Sequence, residues 1–170
     1  MAVKDIVLLG NPELHRVSQP IRKHDLKWLS EVVKDLHDTL MDFKKRVGVG
    51  RAIAAPQIGV KKRLVYMCID RPTLFINPVL EQKSREMIEV WDDCMCFPDL
   101  LVKVRRHKRC RIRWLTMDWK EEEMILEDSL SELLQHECDH LEGILAVSRA
   151  IGEKSFALRN QRILPGKNPE

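Results

Sequence analysis

Residues 135–143 read QHECDHLEG, with His136 and His140 four positions apart and Glu137 directly after the first histidine. The run lies within SLSELLQHECDHLEGILA, where Leu130, Leu133, Leu134 and Leu141 recur at helical spacing. Ser129 with Glu132 three residues on forms a capping-box pattern, and Gly143 supplies a stop. On the predicted helix a step of four residues is about 400° of rotation and about 6 Å of rise. The two imidazoles therefore leave nearly the same face, at a separation that one metal ion with bonds of about 2 Å can bridge. Glu137, about 100° further round, reaches a water activated by that ion without being a ligand, which is the general-base position of HExxH hydrolases. The competing reading is two surface histidines at this spacing by chance, since His15, His24, His37 and His107 form no such pair. The metal reading needs a further ligand from elsewhere in the chain, and that requirement constrains the fold more than any other feature.

WDDCMCFPDL (91–100) offers one. Cys94 and Cys96 are two apart, so in an extended segment both thiols point to one side and either or both can meet the histidines. Two thiolates with two imidazoles make a closed structural zinc site, whereas one thiolate leaves a fourth position open for water. Spacing leaves both arrangements open. Cys138, about 200° around the helix from His136, reads as a small buried hydrophobe. Five cysteines at irregular spacing without an export signal are expected to stay reduced.

With 170 residues and 44% hydrophobic content, one domain spanning 1–170 with a proper core is expected. The net charge of +3 lacks the excess of a dedicated nucleic-acid binder. The apolar burst Ile6–Leu9 is too brief for a signal-peptide core, and no run reaches the roughly eighteen apolar residues of a membrane span, so a cytoplasmic protein is expected. In residues 24–48, Leu26, Leu29, Val33, Leu36, Leu40 and Phe43 lay one stripe along a helix that Gly48 and Gly50 stop. RLVYMCID (63–70) and LFINPVLE (74–81) read as strands, and residues 110–129 read as a hairpin in which Cys110, Ile112 and Trp114 alternate with Arg111 and Arg113. The class is α+β, with small antiparallel or mixed sheets around a central helix carrying HExxH. From about residue 151 a peripheral, partly frayed tail is expected.

GRAIAAPQIG (50–59), DDCMCFP (92–98) and QHECDHLEG together resemble, in order and spacing, the three motifs of peptide deformylases, hydrolases that remove the formyl group from the N-terminal methionine of nascent proteins. VLLGNPELHRVSQPI is similar to the family's opening segment, so the resemblance runs from about residue 6 to 150. It implies Cys94, His136 and His140 as metal ligands, with Cys96 where the family usually has serine, which favours the open site. It implies Glu137 as general acid/base, with the Gln57 amide and the Met95 N–H stabilising the oxyanion, and Gly50, Arg51, Ala52 and Glu132 beside the substrate. The implied ion is iron(II), replaceable by zinc, nickel or cobalt, and the implied substrate is a formylated nascent peptide. A monomer is expected.

The chain also departs from the family pattern. Ala52 stands for a glycine, Arg51 for an apolar residue, Asp92-Asp93 for Glu-Gly, Leu101 for an arginine and Glu132 for a residue usually apolar near the methionine side-chain pocket. Glu132 is read either as the capping partner of Ser129 or as one half of an ion pair with Arg51 across the pocket mouth. Asp92 and Asp93 are read either as residues that orient a ligand or as solvated turn residues. KVRRHKRCRIR (103–113) holds seven Lys or Arg, read as the wet face of a half-buried strand, with transient ribosome contact as the alternative. The expected activity is metal-dependent deformylation. The alternatives are an inactive deformylase-like binding protein, a closed Cys94–Cys96–His136–His140 zinc site, and a HExxH peptidase, which the cysteine ligand and the AAPQ loop argue against.

Overall fold

The computed structural model describes residues 3–161. In chain order the main elements are α1 (Leu26–Val47), β1 (Ala52–Ala54), β2 (Leu64–Cys68), β3 (Pro72–Glu81), β4 (Met87–Asp93), β5 (Leu100–His107), β6 (Arg109–Leu115), β7 (Glu121–Glu127), α2 (Asp128–Leu141) and β8 (Phe156–Leu158). β1, β2, β3, β6 and β7 form a five-stranded sheet in that order, and β4, β5 and β8 a three-stranded one. All neighbouring strands run antiparallel.

Strand alternation assigns the two faces of the larger sheet. Ala52, Ala54, Val65 and Met67 pack with Leu133, Leu134, Cys138 and Leu141 of α2, whereas Ile53, Leu64 and Tyr66 pack with Leu29, Leu36, Leu40 and Phe43 of α1. The stripe read from the sequence is thus the face α1 buries. Leu29, Leu36 and Leu40 are fully enclosed, and each contributes about 1.5–3 kcal/mol by leaving water. Gly48 ends the helix in the left-handed region at φ 81°, its N–H donating to the Lys44 carbonyl at 2.9 Å.

α2 lies between the sheets. Its second wall is the smaller sheet, whose Val102 and Val104 pack with Cys94, Cys96 and Phe97. Gln135 ties the helix to the end of β5, accepting from the His107 N–H at 3.0 Å and donating to the His107 carbonyl at 2.8 Å. The Ser131 hydroxyl donates to the same carbonyl at 2.8 Å. Gly143, just past the helix, has φ +70°, and a Cβ there would lie 2.3 Å from the His15 carbonyl oxygen, so the N-terminal segment docks where only glycine fits.

Four expectations need correction or completion. Residues 103–113 are two strands of different sheets, β5 and β6, separated at Lys108. All seven cations of that stretch are ion-paired: Lys103 and Arg105 with Glu89, Arg106 with Asp92 and Asp139, Lys108 with Glu86, Arg109 with Glu127, Arg111 with Glu81 and Glu123, and Arg113 with Glu81 and Glu121. Arg106 in particular does not face water; it is buried, on the same strand parity as Val102 and Val104. The capping box does not form, because α2 starts at Asp128 without a side-chain cap and the Ser129 hydroxyl instead accepts from Arg51 Nη1 at 2.8 Å. Finally, Phe156–Leu158, expected in a peripheral tail, pair with β5; residues 162–170 lie outside the described residues.

Candidate metal centre

Cys94 leaves the end of β4 in a tight turn, with the Phe97 N–H donating to the Cys94 carbonyl at 3.1 Å. The turn carries its thiol to α2. His140 Nε2 lies 3.3 Å from Cys94 Sγ and 3.2 Å from His136 Nε2. All three residues are buried, and their ligand atoms lie within 4.8 Å of one another, forming the one such group among the described residues. In a tetrahedral site with bonds of about 2.0–2.3 Å, the edges between ligand atoms are about 3.3 Å for N···N and about 3.6 Å for N···S, so the observed spacings match a bound ion's coordination shell.

The electrostatics agree. Burial lowers the His136 imidazole but Asp92 outweighs it, taking the ring up to about 9, while burial and the facing His136 push His140 well below the usual histidine range. The two Nε2 atoms face each other at 3.2 Å, and a cation bound between them would take up both lone pairs. Burial pushes the Cys94 thiol up, and a bound cation is what would favour its thiolate. Cys96 is buried beside this group but outside it. The four-ligand closed arrangement is therefore not formed among these side chains.

Asp92 orients the first histidine. Its Oδ1 lies 2.9 Å from His136 Nδ1, an ion-pair distance without the alignment of a full hydrogen bond. Its Oδ2 accepts from Arg106 Nη2 at 2.8 Å. Burial works against the carboxylate, but His136 and Arg106 hold it down at about 2. A carboxylate on Nδ1 keeps the proton there and leaves the Nε2 lone pair, on the side of Cys94 and His140, for an ion that these residues would hold. Arg106 continues the chain to Asp139, which also pairs with Arg149. Of the two readings of Asp92, the orienting one has the geometry. Asp93 pairs with Arg159 at 2.8 Å.

The residues singled out from the sequence converge on one cavity of about 400 Å³, where Gly50, Arg51, Ala52 and Gln57 face Cys94, Met95, Glu132, His136 and Glu137. Glu137 is 3% exposed and its Oε2 has no hydrogen-bond partner. Burial raises its carboxyl to about 7, against the opposing pull of His136. Gln57 sits in a short 3-10 turn after β1, where its Oε1 accepts from the Ala54 N–H at 2.8 Å. Because that donor fixes the carbonyl end, the NH₂ end must face inward, and Nε2 lies 3.6 Å from both Cys94 Sγ and Cys96 Sγ. Glu132 is also buried, and its Oε1 accepts from Arg51 Nη2 at 2.5 Å, so the ion pair weighed as one account of these residues is formed.

Arg106, Gln135 and Arg159 escaped the sequence reading. Period-two parity with Val102 and Val104 is a signal that points Arg106 inward. Arg159 lines the cavity and donates to the Pro98 carbonyl at 2.8 Å, and no local pattern announces that.

Residues 3–156 match the family model described as polypeptide deformylase. A peptide deformylase of Prochlorococcus marinus is 36% identical over 95% of this chain and 88% of its own length. One from a Parafrankia species is 39% identical over 88% of this chain and 79% of its own. Among solved structures, peptide deformylase from Thermotoga maritima superposes with a TM-score of 0.82 at 27% identity, covering 89% of this chain and all of that one. The actinonin-bound class I type b enzyme of Acinetobacter baumannii gives 0.80 at 26%, covering 88% and 99%. The match takes in the cysteine turn, the histidine helix and both sheets that hold them, and the chain belongs to the peptide deformylase family.

Proposed function

We propose that this chain hydrolyses the formamide at the N-terminus of formyl-methionyl or related formyl peptides, with one divalent ion held by Cys94, His136 and His140. The observation that carries the reading is the convergence of those three ligand atoms with the unpartnered Glu137 oxygen in a cavity open to a peptide. Among the described residues β1 pairs only with β2 and β4 only with β5. Each therefore presents a free edge at the cavity, and an extended substrate can hydrogen-bond along such an edge. An ion in this ligand set supplies Lewis acidity, activating a water and withdrawing charge from the formyl oxygen.

The protein's own groups do the rest. Glu137 takes the proton of the attacking water and delivers it to the nitrogen of the departing amine, releasing formate. The Gln57 Nε2–H and the Met95 N–H donate to the formyl oxygen as it gains charge, lowering the barrier by several kcal/mol. Asp92, gripped by Arg106, keeps His136 in the tautomer that leaves Nε2 free. A thiolate with two imidazoles suits iron(II), and zinc, nickel and cobalt as well; we take iron(II) as the working ion. The same proposal has the chain acting as a monomer on nascent peptides in the cytoplasm; no helix of the described residues is long and apolar enough to cross a membrane. We assign no ribosome contact to residues 103–113, since every cation there already has a carboxylate partner.

The test is formate release from a formyl-Met peptide by protein loaded anaerobically with iron(II), beside Glu137→Gln. Turnover by the wild type and its loss in the variant are expected. No formate at full metal occupancy would overturn the proposal in favour of a metal-binding protein without this activity.

A further inference from the structure

Arg51 and Glu132 put a charged pair into the wall of the cavity that holds the formyl-end groups, apart from the Asp93–Arg159 pair and Lys44 in the same lining. Arg51 follows Gly50 on the strand side of the cavity, and Glu132 lies on α2 one helical turn before His136, about 6 Å along the axis. The pair is rigidly built. Arg51 Nη1 donates to the Ser129 hydroxyl at 2.8 Å and to the Ser129 carbonyl at 3.3 Å, while Nη2 donates to Glu132 Oε1 at 2.5 Å. Arg51 is thus spent on fixed partners, and its side chain remains 39% exposed while that of Glu132 is 11% exposed. An ionised carboxylate offers about four lone-pair positions. Arg51 occupies Oε1, and Glu132 itself lines the cavity.

Resting on the deformylase reading, we propose that Glu132 selects the first side chain of the substrate, favouring formyl peptides whose first residue ends in an N–H donor over those with an apolar side chain of equal length. A formyl group at the metal ligands puts the side chain of the residue that carries it within reach of the helical turn preceding His136. An apolar side chain there covers a carboxylate oxygen and gives it no hydrogen bond, whereas an amide or ammonium completes it. Phe43, Val49 and Leu133 line the same cavity and accommodate the methylene stem in either case.

The experiment measures kcat/KM of the iron(II)-loaded protein on formyl-X-Ala-Ser peptides with X as norleucine, methionine, glutamine or lysine. Glutamine and lysine are expected to exceed norleucine by about tenfold or more, the effect of one buried hydrogen bond. Glu132→Gln is the decisive variant. Because Arg51 donates to the oxygen at Oε1, the new amide must turn its NH₂ into the cavity, replacing an acceptor by a donor without changing shape. The preference for donor-ended side chains should then fall by about tenfold or more. The paired variant Arg51→Leu with Glu132→Leu, which strands no charge, should reverse it in favour of norleucine and methionine. Metal content and melting temperature establish that each variant is folded. A wild type that prefers norleucine or methionine, or discriminates less than about threefold, overturns the proposal; so does a donor preference that survives in Glu132→Gln. Absence of formate from every peptide would remove the deformylase reading and this one with it, a result distinct from turnover with the wrong preference.

Discussion

Replacing Arg106 by Met tests the buried charge chain behind the Cys94–His136–His140 group. The side chain of Arg106 is 3% exposed and joins Asp92, 4% exposed, to Asp139, 12% exposed. Methionine keeps most of the apolar stem and removes the guanidinium. Asp139 retains Arg149, whose Nε and Nη2 lie 2.5 and 2.6 Å from its two oxygens. The loss therefore falls on Asp92, left buried with only the His136 ring. Stranding one partner of a buried pair costs about 3–5 kcal/mol. For a chain of this size that lowers the melting temperature by roughly 6–20 °C. Urea unfolding of metal-free protein reads the first quantity, and zinc competition with a chromophoric chelator reads a second: affinity should drop about 10–100-fold as His136 loses its orientation. Arg46→Ala is the control, because the Arg46–Asp42 pair is exposed and should be worth well under about 1 kcal/mol. If Arg106→Met loses less than about 1 kcal/mol and binds zinc normally, the charge chain is not what holds His136 in place, and the account of Asp92 fails.

Other consequences follow from single residues. Glu137→Gln should cut kcat by about 100-fold or more with metal occupancy unchanged; loss of the metal itself would mean that Glu137 is a ligand. Cys96→Ser should keep the full metal content measured by elemental analysis, because Cys96 lies outside the ligand group, whereas Cys94→Ser should lose most of it. Gly143→Ala should destabilise the fold by roughly 2 kcal/mol or more, from the positive φ and the approach to the His15 carbonyl; an unchanged denaturation midpoint would show that the N-terminal segment yields freely.

The histidine pair with Glu137 beside it and the stripe of α1 were legible because helical periodicity is a property of the backbone and needs no knowledge of what lies opposite. The hairpin of β6 and β7 was legible for the same reason, from period-two alternation around a polar turn. Residues 103–113 misled because one run of cations spans two strands that belong to different sheets, and composition cannot see a sheet boundary. Of the two readings of Glu132 the capping box fails and the ion pair forms, because Arg51, 78 residues before Ser129, takes both the Ser129 hydroxyl and a Glu132 oxygen.

Spacing alone therefore established a helix able to grip an ion from one face and a cysteine segment able to complete it. Spacing left open which cysteine does so, the family resemblance pointed to Cys94, and the structure groups Cys94 with the histidines; that Asp92 and Arg106 stand behind His136, and that Arg159 reaches the cavity, were decided by tertiary structure alone. Those contacts join segments that touch only after the two sheets close on α2, and a charge gains its partner, or its burial, only at that closure.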